Sequence, residues 1–379
     1  MDFNLTREQQ MIKKMIKRFA ETEIEPIAEM IDAEAEFPYE TVAKLGELGV
    51  MGMPFPKEYG GAEADYIAYI MAIEELSKVC GSHGVIVQTH NALCCWPIFT
   101  YGTEEQKRKY LPDLLSGKKL GAFGLTEPNA GTDAAMQETK AVDMGDHWLL
   151  NGSKVFISGG GIAEVYVVMA MTDKSKGTKG ISAFIVEKGM PGFSRGKKEN
   201  KMGIRGSTAA ELVFEDCIVP KENLLGELGK GFKVAMTSLD VGRLGIGAQA
   251  LGIAQGAFDQ TVAYMKQRKQ FGKSLDKFQA LAFEMANMKT RIDGSRLLLY
   301  YACDRRQKGL PSTVEAAQAK LSCSETAMYV TTKAMQFHGG YGYIKDYPVE
   351  RMMRDAKITE IYEGTSEVMK MVISGDIFK

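Results

Sequence analysis

A carboxylate in an apolar and aromatic setting stands near the end of the chain, in Ile361-Tyr362-Glu363-Gly364-Thr365-Ser366-Glu367. The two hydroxyls can cap a following helix, which leaves Glu363 on the loop before it. Burial there would raise its pKa and suit it to general-base work, although a structural salt bridge would use the same residue types. Four other segments carry chemistry-bearing residues. Phe123–Asp133 (FGLTEPNAGTD) combines small residues, hydroxyls and a carboxylate around a proline. Such a loop can bring backbone N–H groups to a flat polar ligand, or be a capped turn. In Phe156-Ile157-Ser158 strand alternation puts Phe156 and Ser158 on one face, where a ring and a hydroxyl suit a stacked heteroaromatic group as well as an ordinary strand. Arg268–Lys273 (RKQFGK) could clamp phosphate through paired donors, or be a solvated charge cluster. Gln336–Tyr343 (QFHGGYGY) is glycine-rich at a helix end, open to close approach by a cofactor or used as a C-capping turn.

Several chemistries are absent from the 379 residues. No G-x-G-x-x-G follows a strand and no phosphate loop occurs. The six cysteines form no C-x-x-C and the four histidines no H-E-x-x-H, so no metal site is expected. The thiols read as buried and reduced, as in a cytoplasmic protein. A net charge of −1 lacks the footprint of a nucleic-acid or membrane-surface binder. No run of ~18 apolar residues could span a bilayer, and the opening MDFNLTREQQMIKK has no apolar core of a signal peptide. Hydrophobic residues at 45% can bury a large core. At ~100–200 residues per domain the length predicts two or three domains.

The elements that must position these segments follow an α, β, α order. Residues 1–120 read as helical, with capping boxes at Thr6/Gln9 and Thr103/Gln106. Helical runs follow through Tyr39–Leu48, Ile67–Val79 and Glu104–Leu115. Residues 121–225 read as an antiparallel β domain, in which Asn151-Gly152 predicts a hairpin between Trp148–Leu150 and Lys154–Ile157. Residues 226–379 read as a bundle of four helices: Phe232–Lys266, Leu275–Gln307, Thr313–Phe337 and a last stretch after Asp355.

Together, in this order and spacing, the segments LTEPNAGTD (125–133), FIS (156–158), RKQFGK (268–273), QFHGGYGY (336–343) and RDAKITEIYEGTSE (354–367) closely resemble the acyl-CoA dehydrogenase family. The resemblance covers essentially the whole chain and is nearest to the short-chain, butyryl-CoA type of anaerobic bacteria. It implies non-covalent FAD. Phe123, Leu125, Thr126 and Thr132 would line the flavin, with Thr132 also meeting substrate. Phe156, Ile157 and Ser158 would border the ring, in places where family members usually carry tryptophan and threonine at the first and last. Arg268, Phe271, Gln279 and Gln336, Phe337, His338, Gly339 and Gly340 would hold the ADP part, some of them from a neighbouring subunit. Asp240, Val241, Gly242, Arg243 and Gly364 would contact acyl-CoA, while Thr365, Ser366 and Glu367 return to FAD.

In that family a base removes the α-proton of the thioester while the β-hydride passes to the flavin. Glu363 takes the base position here. One branch carries its base at the place of Gly242 instead, and glycine cannot serve. The resemblance further implies a homotetramer, electron-transferring flavoprotein as electron partner and a bacterial cytoplasmic setting. Two other readings use the same scaffold. The site could run in reverse as a crotonyl-, acryloyl- or aryl-acrylyl-CoA reductase. A DNA-associated relative would need a basic face and no Glu363, which the near-zero charge and intact motif oppose.

Overall fold

The computed structural model describes residues 4–379; the first three residues of the predicted helical region lie outside them. Thr6 opens α1 (Arg7–Phe19), where its hydroxyl accepts the Gln9 N–H and the Gln9 side chain accepts the Thr6 N–H. There follow α2 (Ala28–Glu34), α3 (Tyr39–Glu47), α4 (Tyr66–Val79), α5 (Gly81–Thr89), α6 (Trp96–Tyr101) and α7 (Glu104–Leu115), the last opened by the Thr103/Gln106 box. Helix α5 leaves no periodic trace in the sequence because every face of it is buried.

An eight-stranded sheet comes next: β1 (Gly121–Gly124), β2 (Lys140–Asp143), β3 (His147–Ser158), β4 (Val165–Met171), β5 (Ile181–Glu187), β6 (Phe193–Lys198), β7 (Ala209–Pro220) and β8 (Leu224–Leu225). Its order is β6-β7-β3-β2-β4-β5-β8, with β1 also paired to β4. The sheet is mainly antiparallel, as expected, but β1 and β2 both run parallel to β4. Parallel pairing requires a crossover, and the long segment between β1 and β2 supplies it. That segment holds the LTEPNAGTD motif.

The predicted hairpin at Asn151-Gly152 is also absent. Both residues lie inside β3, at a bulge where pairing with β7 slips between Leu150 and Gly152. The Asn151 amide donates to Asp216 Oδ1 at 3.0 Å, and its oxygen accepts the Asp216 N–H at 2.8 Å. A Cβ at position 152 would meet Thr139 Oγ1 at 2.6 Å, so this glycine admits the segment at Thr139 rather than making a turn.

The C-terminal region holds α8 (Gly231–Gln267), the ribbon β9 (Lys269–Gln270) and β10 (Lys273–Ser274), then α9 (Gln279–Gln307), α10 (Thr313–His338), α11 (Val349–Lys357) and α12 (Ser366–Ile377). The predicted four helices are joined by α11. Helix α8 is buried without interruption from Val241 to Ala254. It belongs to two cores, one shared with α4, α9 and α10, the other with α7, β1, β4 and β5. A fully buried Leu or Ile contributes roughly 1.5–3 kcal/mol, so α8 is a rigid wall between sheet and bundle. Among the described residues no helix is long and apolar enough to cross a membrane.

Candidate active site

Segments from both halves of the fold meet at a cavity of about 310 Å³. Phe123 at the end of β1 and Leu125, Thr126 and Thr132 from the following crossover form one wall. Phe156, Ile157 and Ser158 close β3 and form the next. The predicted alternation breaks there. Phe156 has φ +60° and the β3–β7 register slips between Lys154 and Ile157, so three consecutive residues border the cavity. The Phe156 ring stands 67% exposed at its edge.

Arg243 from α8 and Glu363 and Gly364 from the loop before α12 complete the enclosure. Thr365 caps α12 by accepting the Val368 N–H at 3.3 Å, which leaves Glu363 on the loop as its sequence predicted. Glu363 is half-buried as a residue, but both carboxylate oxygens are shielded from solvent and have no hydrogen-bond partner. Burial pushes its carboxyl up to about 7, against the opposing influence of the Gln88 amide and the Lys320 and Arg243 cations. Gln88 gives its amide N–H to the Gly242 carbonyl at 3.1 Å. Gly242 is the floor under the carboxylate: a Cβ there would lie 1.9 Å from Glu363 Oε2.

The other predicted substrate contacts divide. Asp240 accepts from Arg243 Nη1 at 2.7 Å and from the Thr313 hydroxyl at 2.7 Å. Val241 borders a separate pocket beside Tyr66 and Arg306. The predicted ADP-binding residues also gather elsewhere. Arg268 and Gln336–Gly340 line a second pocket of about 470 Å³. A Cβ on Gly339 or Gly340 would meet nothing within 4 Å, so this backbone is open to approach. His338 is itself buried, bonded through Nδ1 to the Ala334 carbonyl at 2.7 Å and stacked on Tyr264. Phe271 is 93% exposed on the turn of the β9–β10 ribbon. Gln279 opens α9; Ser366 is buried and Glu367 exposed in the first turn of α12.

Sequence reasoning missed a buried brace beneath the first wall. Lys154 on β3 has no exposed surface. Its Nζ donates to Glu127 Oε1 at 2.6 Å, Gln137 Oε1 at 3.1 Å and the Leu125 carbonyl at 3.2 Å. Glu127 in turn accepts the N–H groups of Glu138 and Thr139. The pair therefore ties both ends of the crossover to β3. A lysine at an inward strand position was the available signal, since such a cation must find an acid. Lys154→Met strands Glu127 without its cation, and breaking a buried pair from one side costs about 3–5 kcal/mol. The expected result is a lower urea midpoint at unchanged m-value together with loss of FAD on gel filtration; full retention of both would contradict the brace.

The comparisons with known proteins give the family. The acyl-CoA dehydrogenase N-terminal, middle and C-terminal domain models match residues 6–118, 122–217 and 229–378. The chain belongs to the acyl-CoA dehydrogenase family. Among acyl-CoA dehydrogenases it is 63% identical, over the full length of both chains, to the short-chain specific enzyme of Clostridium acetobutylicum. It is 52% identical to the acryloyl-CoA reductase (NADH) of Anaerotignum propionicum, covering 100% of this chain and 96% of that one. Butyryl-CoA dehydrogenase from Megasphaera elsdenii superposes with a TM-score of 0.99 at 52% identity, over 100% of both chains. So does a chain from the structural work on the electron transferring flavoprotein of Acidaminococcus fermentans and flavin-based electron bifurcation, at 0.99 and 55%, again over 100% of both chains.

An acyl-CoA dehydrogenase is a flavoprotein oxidoreductase that takes FAD. The residues present fit that group. An exposed aromatic ring and the hydroxyls of Thr126, Thr132 and Ser158 edge a cavity whose opposite wall carries an orphaned carboxylate.

Proposed function

We propose that the protein catalyses α,β-dehydrogenation of a short-chain acyl-CoA to the trans-2-enoyl-CoA, with Glu363 as the base. The observation that carries this reading is the buried Glu363 carboxylate, shielded from water on a residue that lines the cavity bordered by the FAD motifs. The thioester α-proton passes to Glu363 as the β-hydride leaves, and the Cα–Cβ double bond forms between them. FAD, when bound, supplies the two-electron acceptor. Neither proton nor hydride departure is favourable alone, so a base fixed at the α-carbon is the chain's main chemical contribution. The Glu363 N–H is the backbone donor suited to the enolate oxygen.

Short-chain preference is supported by the identity to the Clostridium enzyme. The ADP part of FAD is assigned to the pocket lined by Arg268 and Gln336–Gly340, with Phe271 and Gln279 as further contacts that the family resemblance implies. Because that pocket is separate from the Glu363 cavity, a homotetramer in which one subunit completes its neighbour's FAD site fits this assignment. Electron-transferring flavoprotein is the proposed partner, in the cytoplasm, and the working domains are 1–120, 121–225 and 226–379.

The test is a panel of straight, branched and aryl acyl-CoAs added anaerobically to the yellow protein. Butyryl-CoA is expected to bleach the flavin most rapidly, and no bleaching by any member would overturn the reaction. The pH dependence has a definite sign. A base must be ionised, and burial holds the Glu363 carboxyl at about 7. The kcat/KM for oxidation should therefore rise tenfold per pH unit below about 7 and level off above it. A flat profile from pH 5.5 to 9 would remove Glu363 from the role. The similarity to an acryloyl-CoA reductase favours a second direction through the same site, enoyl-CoA reduction; midpoint potentials with the native partner decide between them.

A further inference from the structure

Lys320 lies on α10 with no exposed surface. Burying an ammonium is costly, and burial brings this one down to about 8. Its Nζ donates at 2.6 Å to the carbonyl of Gly364, the residue after Glu363. That carbonyl belongs to a segment in an unfavourable conformation. Glu363 has φ +53° and Gly364 +105°, two left-handed residues in succession, of which only the second is a glycine. Upstream, the Ile361 and Tyr362 N–H groups are both held by the Ile358 carbonyl. Downstream, Thr365 begins α12. The Lys320 bond ties the intervening turn sideways to the bundle.

We propose that Lys320 is a positioning residue for Glu363: by holding the Gly364 carbonyl to α10 it fixes the left-handed turn that lays the carboxylate over Gly242, beside the cavity. The inference deepens the proposed reaction and rests on Glu363 being its base. It also gives the ammonium an electrostatic part. Glu363 faces Arg243 on α8, Gln88 on α5, Tyr66 and Tyr69 on α4, its own neighbour Tyr362, and Lys320. Arg243 is already paired with Asp240. Lys320 is surrounded by Glu363, Glu360 and Glu367 with Arg243 nearby, and it donates to a neutral carbonyl. Its charge therefore remains available to favour the ionised form of Glu363.

The experiment uses FAD-loaded enzyme and butyryl-CoA in anaerobic stopped flow from pH 5.5 to 9, with FAD content measured on each preparation. In Lys320→Met the limiting rate of flavin reduction is expected to fall at least tenfold at pH 7. Its pH limb should move up by about one unit, the scale of one nearby opposite charge. FAD content and the dissociation constant of butyryl-CoA should change less than threefold. Lys320→Arg keeps charge and donor and should return the limb towards its wild-type position. If Lys320→Met does not fold, Lys320→Gln removes the charge while keeping a polar head, and the same limb shift is expected. A neutral variant with the wild-type rate and limb overturns the inference. So does a uniform loss of FAD at every pH that Lys320→Arg fails to repair, which would mark simple structural support. Wild-type flavin that no acyl-CoA bleaches overturns the proposed reaction itself, a result separable from both.

Discussion

Glu363→Gln should yield protein that stays yellow yet loses reduction by butyryl-CoA by about 10²–10⁴-fold, the contribution of a positioned base. The substitution is close to isosteric and keeps a polar head towards the Gln88 amide. Its effect on folding is expected to be favourable above the acidic range. A buried acid whose folded pKa is raised from 4.5 to about 7 costs nothing below pH 4.5, where both states hold the proton. The unfolded chain then ionises first, so the penalty grows between pH 4.5 and about 7 and persists above. A neutral amide escapes it. The variant should therefore melt no lower than wild type at pH 8 while bleaching far more slowly. An undiminished rate of flavin reduction would sink the base assignment.

Gly242→Ala should separate activity from stability more sharply still. The new Cβ would stand 1.9 Å from Glu363 Oε2, 2.9 Å from its Cδ and 3.1 Å from Leu93 Cδ2. Leu93 and the carboxylate cannot both keep their places. Within α8, however, alanine is preferred to glycine by roughly 0.8–1 kcal/mol, so the helix itself gains. Moving a reacting group by about 1 Å costs on the order of 10² in rate. The expected outcome is a melting temperature within a few degrees of wild type, because buried overpacking of about 1–3 kcal/mol opposes the helix gain, with flavin reduction slowed about a hundredfold. Combined with Glu363→Gln the alanine should add little further loss, because both changes act on one interaction. A rate within twofold of wild type would show that the carboxylate reacts from some other position.

Much of the site is legible in the chain because its signals are local. Thr6, Thr103 and Thr365 each cap the helix that follows within three residues, and a cap depends on spacing alone. The flavin and carboxylate motifs are contiguous, so their order carried the family resemblance and their convergence needed only the fold. What escaped depends on register and on distant neighbours. Asn151-Gly152 has the composition of a turn, but Asp216, 65 residues on, and Thr139 on the segment before β2 decide its use. Phe156 and Ser158 were placed by alternation, which the bulge at the end of β3 abolishes. Lys154 and Lys320 look like surface lysines until the strand face and helix face are known. Even Gly242, marked in the sequence as the place of an absent base, gained its role as a floor only once Glu363 was seen above it.

The left-handed backbone at Glu363 bears on how this position changes over generations. A non-glycine residue held at φ +53° costs about 1–2 kcal/mol that glycine would not. Natural drift under selection for folding alone would carry position 363 towards glycine or asparagine and would reward the change with a sturdier protein. The proposed base therefore sits at a backbone position that folding alone would not give to a carboxylate. In descendants of this chain, glycine or asparagine at 363 beside intact flavin motifs would mark a lineage that has kept the scaffold and retired the chemistry.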